Sequence, residues 1–388
     1  MRIEAVEVRI VALPLVTPFA ASHGTTSIRT AVLVRLAGPD GEGWGECAAL
    51  PEPTYSDEFV DDAFLTIRGL LAPRLLTDPI SGAGGVSSVD LPDLFADVVG
   101  HPMAKAAIEM ALLDFECRSA GVSLAHRLAP HPPGPAASVP AGVAIGLLDT
   151  PDALAQQVAD RVAEGYGRVK IKIAPGRDVE FVRAARQVAG RDIVLVVDAN
   201  GAYRIDGSTG EIDDARALSQ LDEFDLACIE QPLAADNLLD HAELARRLDT
   251  PICLDESLTS ASITRQALDM GACSVVCVKA PRFGSWLVAA DVLDHCANNE
   301  IPAWVGGMLD TGLGRAANIA LAAHPGATIA GDISATARFF SEDVCPPFVV
   351  DGPAGAGSIV VPTGDGLGVT VDPAAIGRLT TTVDLVRA

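Results

Sequence analysis

The chain has no apolar run long enough to cross a bilayer. Its opening, Met1-Arg2-Ile3-Glu4-Ala5-Val6, alternates like a strand and lacks the hydrophobic stretch of a signal peptide. No membrane partner is expected, and a soluble, cytoplasmic protein is. Positive charge is also scarce: 28 Lys and Arg against 51 Asp and Glu give a formal charge of -23, which argues against nucleic acid as a partner. An acidic protein can still bind an anionic ligand where a metal ion reverses the local sign. The eight cysteines contain no C-x-x-C pair, and Cys273 and Cys277, four apart in a strand-like run, make a poor chelate. They are read as buried, reduced thiols. The seven histidines form no H-E-x-x-H pattern, which removes a zinc protease. No glycine-rich phosphate turn follows an early strand, which disfavours a doubly wound nucleotide-binding sheet.

What is present is length and pattern. At 388 residues the chain is too long for one small core, so two domains, or a large barrel with additions, are expected. Glu4–Ile10 and Thr30–Leu36 alternate with period two and read as strands, joined by a Pro- and Gly-punctuated loop around Thr17–Thr25 that suits either a plain hairpin or a mobile lid. A second loop, Leu50–Tyr55, follows Gly43-Trp44-Gly45-Glu46-Cys47. Residues 57–121 turn helical, with Met103, Ala107, Met110 and Asp114 on one helix face and Ser81–Ser88 as a flexible insertion. Residues 1–130 are thus an α+β unit, ended by the linker Pro130–Pro135, and residues of about 340–388 are expected to pack back on it.

After the linker, short β-branched runs alternate with amphipathic helices over residues 136–335. The runs are Val139–Ile145, Arg168–Ile173, Ile193–Val197, Ala227–Ile229, Pro251–Leu254, Ser274–Val278, Pro302–Val305 and Ala327–Ala330. That is the count of a TIM-like barrel, here a (β/α)7β catalytic barrel under an N-terminal α+β capping domain, whose active face lies at the C-terminal strand ends.

Those ends are chemically loaded. The second run carries Lys170 and Lys172, which alternation points inward, with Val169, Ile171 and Ile173 outward. Taken alone the run fits a solvated edge strand as well as a catalytic one. Two neighbouring ammonium groups repel, and relief comes when one loses its proton, which makes it a base strong enough to attack a C–H bond. The next three runs end in Asp198-Ala199-Asn200, Glu230-Gln231-Pro232 and Asp255-Glu256-Ser257, and the sixth in Lys279. Three converging carboxylates call for a cation, and an all-oxygen set with open positions suits Mg²⁺. Lysines flanking such a metal suggest proton abstraction α to a carboxylate through an ene-diolate.

The order K-x-K, D-A-N, E-Q-P, D-E-S, K resembles the enolase superfamily, in its muconate lactonizing enzyme subgroup, over nearly the whole length. Gly43–Cys47, Met103-Ala104-Lys105, Ile229–Leu233, Gly306-Gly307-Met308 and Thr311–Asn318 are similar to the o-succinylbenzoate synthase / N-acylamino acid racemase branch. The resemblance implies Asp198, Glu230 and Asp255 as ligands of Mg²⁺, with Mn²⁺ as a substitute. It implies Lys172 and Lys279 as the acid/base pair, with Lys170 lowering the pKa of Lys172 and Lys172 lying deeper toward the metal. It makes the Phe19–Thr25 and Leu50–Tyr55 loops a cap over a small carboxylate substrate, with Phe19, Ser22, Tyr55, Asn200, Gly306, Met308 and Asp310 as substrate contacts, and implies a homo-oligomer. The expected activity is o-succinylbenzoate synthase, a carbon–oxygen lyase of menaquinone biosynthesis, with N-acylamino acid racemase as the alternative. The chain departs from the branch at Lys279-Ala280-Pro281-Arg282-Phe283-Gly284-Ser285, where K-P-G-R-x-G-G is usual, at Asp310, where Glu is usual, and in a longer turn at Ile205–Gly210.

Overall fold

The computed structural model describes residues 1–21, 24–77, 85–204 and 214–388; the Ile205–Gly210 turn, Ser22, and residues 81–84 of the expected insertion lie outside the described residues. Strands β1 (Ala5–Ala21), β2 (Gly24–Gly38) and β3 (Gly41–Cys47) form an antiparallel meander. Of the two readings of Thr17–Thr25, its described residues take the hairpin, continuing β1 and β2. Pro14 has no N–H for the ladder, and the register shifts between Pro14 and Phe19. There Val16 N turns to bond Phe339 O (2.9 Å), and the hairpin's far end, where Phe19 pairs with Thr26, leans over the barrel mouth.

The long helix Pro102–Ala120 is buried on nearly every side, not on the single face expected, because the meander covers one flank and barrel helices the other. The Gly-x-Gly of β3 follows from this: a Cβ at Gly43 or Gly45 would lie 2.1 Å from the carbonyls of Ala111 or Ala107. Asp114 anchors the crossing by accepting from Trp44 N (2.9 Å) and Leu367 N (2.7 Å).

Strand β4 (Ser138–Pro140) precedes the barrel, whose parallel strands are β5 (Gly142–Ile145), β6 (Arg168–Lys172), β7 (Val194–Asp198), β8 (Cys228–Glu230), β9 (Ile252–Leu254), β10 (Val275–Val278) and β11 (Ala303–Val305), hydrogen-bonded in chain order. Most intervening helices start on a side-chain cap, among them Thr150, Asp178, Asn237, Ser260, Ser285 and Thr311. The eighth run, Ala327–Ala330, is not a regular strand. Ile329 N bonds Ala303 O and Asp332 N bonds Val305 O, each at 3.1 Å, so three residues on one side match two on the other, as in a bulge. Gly142 N completes the closure onto Ile333 O (3.0 Å). Late in the chain, β12 (Ser358–Val360) pairs with β4 and β13 (Thr380–Arg387) with β1.

All eight cysteines are free and buried, and Cys228, Cys253 and Cys277 share the barrel interior with Val196, Val275 and Trp304. Among the described residues no helix is long and apolar enough to cross a membrane.

Cap and barrel are also joined by a buried carboxyl. Glu109, on the long helix, accepts from Ser285 Oγ (2.7 Å) and Trp286 N at the start of helix Trp286–Asn298. This gives the departure Ser285 a structural role that glycine could not fill. Burial raises Glu109 to about 7 from an ordinary value of 4.5, so between those pH values the folded chain holds a proton the unfolded chain has lost. Stability must therefore fall as pH rises through that window and level off above it. Glu109→Gln, which mimics the protonated form, is expected to remove that slope and gain on the order of 2–3 kcal/mol at pH 8 relative to pH 4.5. Denaturant unfolding at both pH values checks it; a parallel offset at the two would count against this origin.

Candidate active site

Alternation along β6 turns Arg168, Lys170 and Lys172 into the barrel while Val169 and Ile171 join the outer core. The stagger between parallel strands then sets Lys172 beside Asp198 and Asp198 beside Glu230, while Glu230 pairs with Cys253, two residues before Asp255. Lys279 follows β10, and β10 stands four strands from β6, half-way round an eight-stranded closure. The two lysines thus face each other with three carboxylates between them.

Each lysine has defined partners. Lys172 Nζ donates to Asp198 Oδ2 (2.7 Å) and Asn200 Oδ1 (2.6 Å). Lys279 Nζ donates to Asp255 Oδ2 (2.8 Å) and Tyr55 Oη (3.1 Å), with Met308 Sδ at 3.7 Å. Glycine at 306 leaves that side chain its space, since a Cβ there would lie 2.5 Å from Lys279 Cε. Lys170 Nζ lies 2.6 Å from Asp332, 3.0 Å from Glu230 and 3.3 Å from Asp198. Lys170 is the deeper lysine, because Lys172 is two residues nearer the C-terminal mouth. The bare repulsion expected of the pair is offset. Burial works against the Lys170 ammonium, yet Asp332, Glu230 and Asp198 hold its pKa well above the ordinary value.

The carboxylates differ sharply. Burial works to raise Asp255, but Arg282 and Lys279 hold it well below the usual range, whereas burial and the Asp198 charge push Glu230 well above it. Both oxygens of Glu230 face Lys170 Nζ, Oε1 accepting a hydrogen bond at 3.1 Å and Oε2 lying at 3.0 Å. Ligand atoms of Glu230, Asp255 and Cys277 all lie within 4.8 Å of one another. Cys277 fits a hard cation poorly, since burial raises its pKa and keeps it a neutral thiol. The oxygens of Glu230 and Asp255, with Asp198 beside Glu230, are the donors suited to Mg²⁺.

A cavity of about 100 Å³ opens above this cluster. Phe19, Tyr55, Asn200 and Met308 line it with Lys170, Lys172, Lys279, Asp198 and Asp255. Gly306 and Asp310 do not. Gly306 packs on the Lys279 stem, and Asp310 is tied behind the wall to Arg315 (3.3 Å) and Met308 N (3.3 Å). Glu230 lies fully buried under the floor.

Three charged groups escaped the sequence reading as site members. Arg168 and Lys170 both pair with Asp332 and stack over Trp304, at 4.1 and 4.8 Å from its ring centre. Arg282 binds Asp255 and donates to Tyr55 Oη (2.9 Å). Arg168 shares the parity of Lys170 and Lys172, and Arg282 sits one helical turn after Lys279, so both carried a readable signal. Asp332 carried one too, since Gly331-Asp332 ends the eighth run at the active face, but its partners lie some 160 residues earlier and left no local trace.

Comparison with known proteins accords with this geometry. The family model "Enolase C-terminal domain-like" matches residues 153–375, and "Mandelate racemase / muconate lactonizing enzyme, N-terminal domain" matches residues 5–128. An N-succinylamino acid racemase from an Amycolatopsis species is 46% identical over 98% of both chains. An o-succinylbenzoate synthase from Geobacillus kaustophilus is 39% identical over 98% of this chain and 96% of its own. The solved structure of an enolase superfamily member from Listeria innocua superposes with a TM-score of 0.90 at 36% identity, covering 100% of this chain and 99% of the other.

Proposed function

The chain belongs to the mandelate racemase / muconate lactonizing enzyme family of the enolase superfamily, and we propose from that premise that it removes the proton α to a carboxylate in a substrate bearing a succinyl arm. The observation that carries this reading is the pair of lysines, Lys172 and Lys279, facing each other across three buried carboxylates. Asp198, Glu230 and Asp255 would hold Mg²⁺ or Mn²⁺. When bound, that ion supplies the positive charge that stabilises electrons arriving at the substrate's carboxylate oxygens.

The side chains do the rest. Asn200 and Asp198 aim Lys172 Nζ at the α-carbon, and Lys172, once neutral, takes the proton as the C–H electron pair moves into the carboxylate. Tyr55 and Asp255 fix Lys279 on the opposite face. Phe19 and Met308 shield the cavity from water. In our first reading, o-succinylbenzoate synthase, the electron pair returns to expel hydroxide from the neighbouring carbon of a hydroxycyclohexadiene carboxylate. Lys279 then stabilises charge without moving a proton. The 46% identical racemase favours a second reading, in which Lys279 returns a proton to the opposite face of an N-succinylamino acid.

The two readings separate in deuterated buffer with Mg²⁺. Aromatic product from the cyclohexadiene is expected in the first; α-deuteration of both enantiomers of an N-succinylamino acid, without dehydration activity, would establish the second in its place. Inertness toward both would sink the proposal.

A further inference from the structure

A second cavity, of about 170 Å³, shares its wall with the first, since Phe19 and Phe339 line both. Its polar lining is Thr17, Gln157, Arg161 and Arg338, and neither Asp nor Glu borders it, in a chain of formal charge -23. Gln157 and Arg161 lie four apart on helix Pro151–Ala163, hence on one face. Arg161 Nη1 donates to both oxygens of Glu164 (2.8 and 2.5 Å), while Arg161 Nε is buried and finds no acceptor. Arg338 Nη2 donates to Ala144 O (2.7 Å), its guanidinium lies 4.8 Å from the centre of the Phe339 ring, and Nη1 is likewise buried without an acceptor. Burial and the facing Arg161 lower the pKa of Arg338 to about 10. Two buried N–H groups on neighbouring cations, both unmatched, are costly unless an anion completes them.

We propose that this cavity is an anion subsite in which Arg338 and Arg161 grip the carboxylate at the far end of the substrate's acyl arm. The inference rests on the proposed function for the identity of that arm. Placement supports the reach. Ala144, whose carbonyl holds Arg338, lines the active-site cavity and pairs with Lys170 on the adjacent strand, about 4.8 Å away. A succinyl arm extends roughly 5 Å from its amide nitrogen to its far carboxyl carbon, four bonds of about 1.5 Å. It can therefore pass between Phe19 and Phe339 while the reacting carboxylate stays among the lysines. A guanidinium fork is the group suited to such a carboxylate.

The test compares kcat/KM for N-succinyl- and N-butyryl-phenylalanine, which differ by the far carboxylate. In Arg338→Met and in Arg161→Gln, the succinyl-to-butyryl ratio is expected to fall roughly 10- to 100-fold, the loss of one charge-assisted contact. A ratio within twofold of wild type in both variants overturns the proposal, because a purely structural arginine would affect the two substrates alike. Arg161→Gln keeps a polar side chain at a partly exposed helix position and serves if Arg338→Met does not fold. If the wild type turns over neither compound, the racemase reading fails, and the cavity is judged by calorimetric titration with free succinate. Weaker binding in the variants supports the subsite, whereas equal affinity, or no binding by wild type, refutes it.

Discussion

Lys172→Ala is expected to lower kcat by about 10²–10⁴-fold while leaving the far-ultraviolet spectrum and unfolding midpoint close to those of wild type. The loss should be large because Lys172 Nζ borders the cavity and is aimed by two short hydrogen bonds, so no neighbouring group can take its place without moving. The fold should tolerate the change because Lys170 remains 3.3 Å from Asp198 and keeps that buried carboxylate paired. The informative control is Lys279→Ala with isotope exchange in deuterated buffer. If the lysines serve opposite faces, it retains exchange of the enantiomer whose α-proton faces Lys172 and loses the other. Turnover of the true substrate by Lys172→Ala at the wild-type rate would refute the assignment of the base.

Removing the divalent cation should be just as severe. Chelation is expected to reduce activity to background, and Mg²⁺, or Mn²⁺ in its place, to restore it. The physical reason lies in burial: Asp198, Glu230 and Asp255 are each at most 1% exposed, and burial with the neighbouring Asp198 charge pushes Glu230 well above its ordinary pKa. A charge in that position is costly until a cation reaches it. Binding to the folded chain alone should stabilise it by about 2.7 kcal/mol at a hundredfold excess over Kd. Glu230→Gln should abolish this metal-induced rise in unfolding temperature and lower kcat/KM at least ~10²-fold, while making the metal-free protein no less stable. Full activity in chelator, or an undiminished thermal shift in Glu230→Gln, would overturn the metal assignment.

The inward face of β6 was legible because side-chain alternation is a property of the strand itself. The same rule covered Arg168, although only the lysines were singled out. The Gly-x-Gly of β3 was visible as a motif, but its cause, backbone contact with the long helix, was not. The Thr17–Thr25 segment looked like a loop because Pro and Gly punctuate it, and among its described residues pairing of Phe19, Ala20 and Ala21 with β2 overrode that local preference. The run at Ala327–Ala330 looked like an eighth strand by composition, whereas closing the barrel against both β11 and β5 required a bulge.

The sequence by itself determined which residues face inward, that acids and lysines end successive strands, and hence the class of chemistry. These follow from covalent geometry with a period of two, which needs no knowledge of neighbours. Tertiary structure alone decided which charge meets which: Asp332 with Arg168 and Lys170, Arg282 with Asp255, and Arg338 beside Arg161 at the wall of the cavity. Those partners are set by strand order, stagger and closure, which join residues as far apart as Arg161 and Arg338, and no local pattern in the chain records such a meeting.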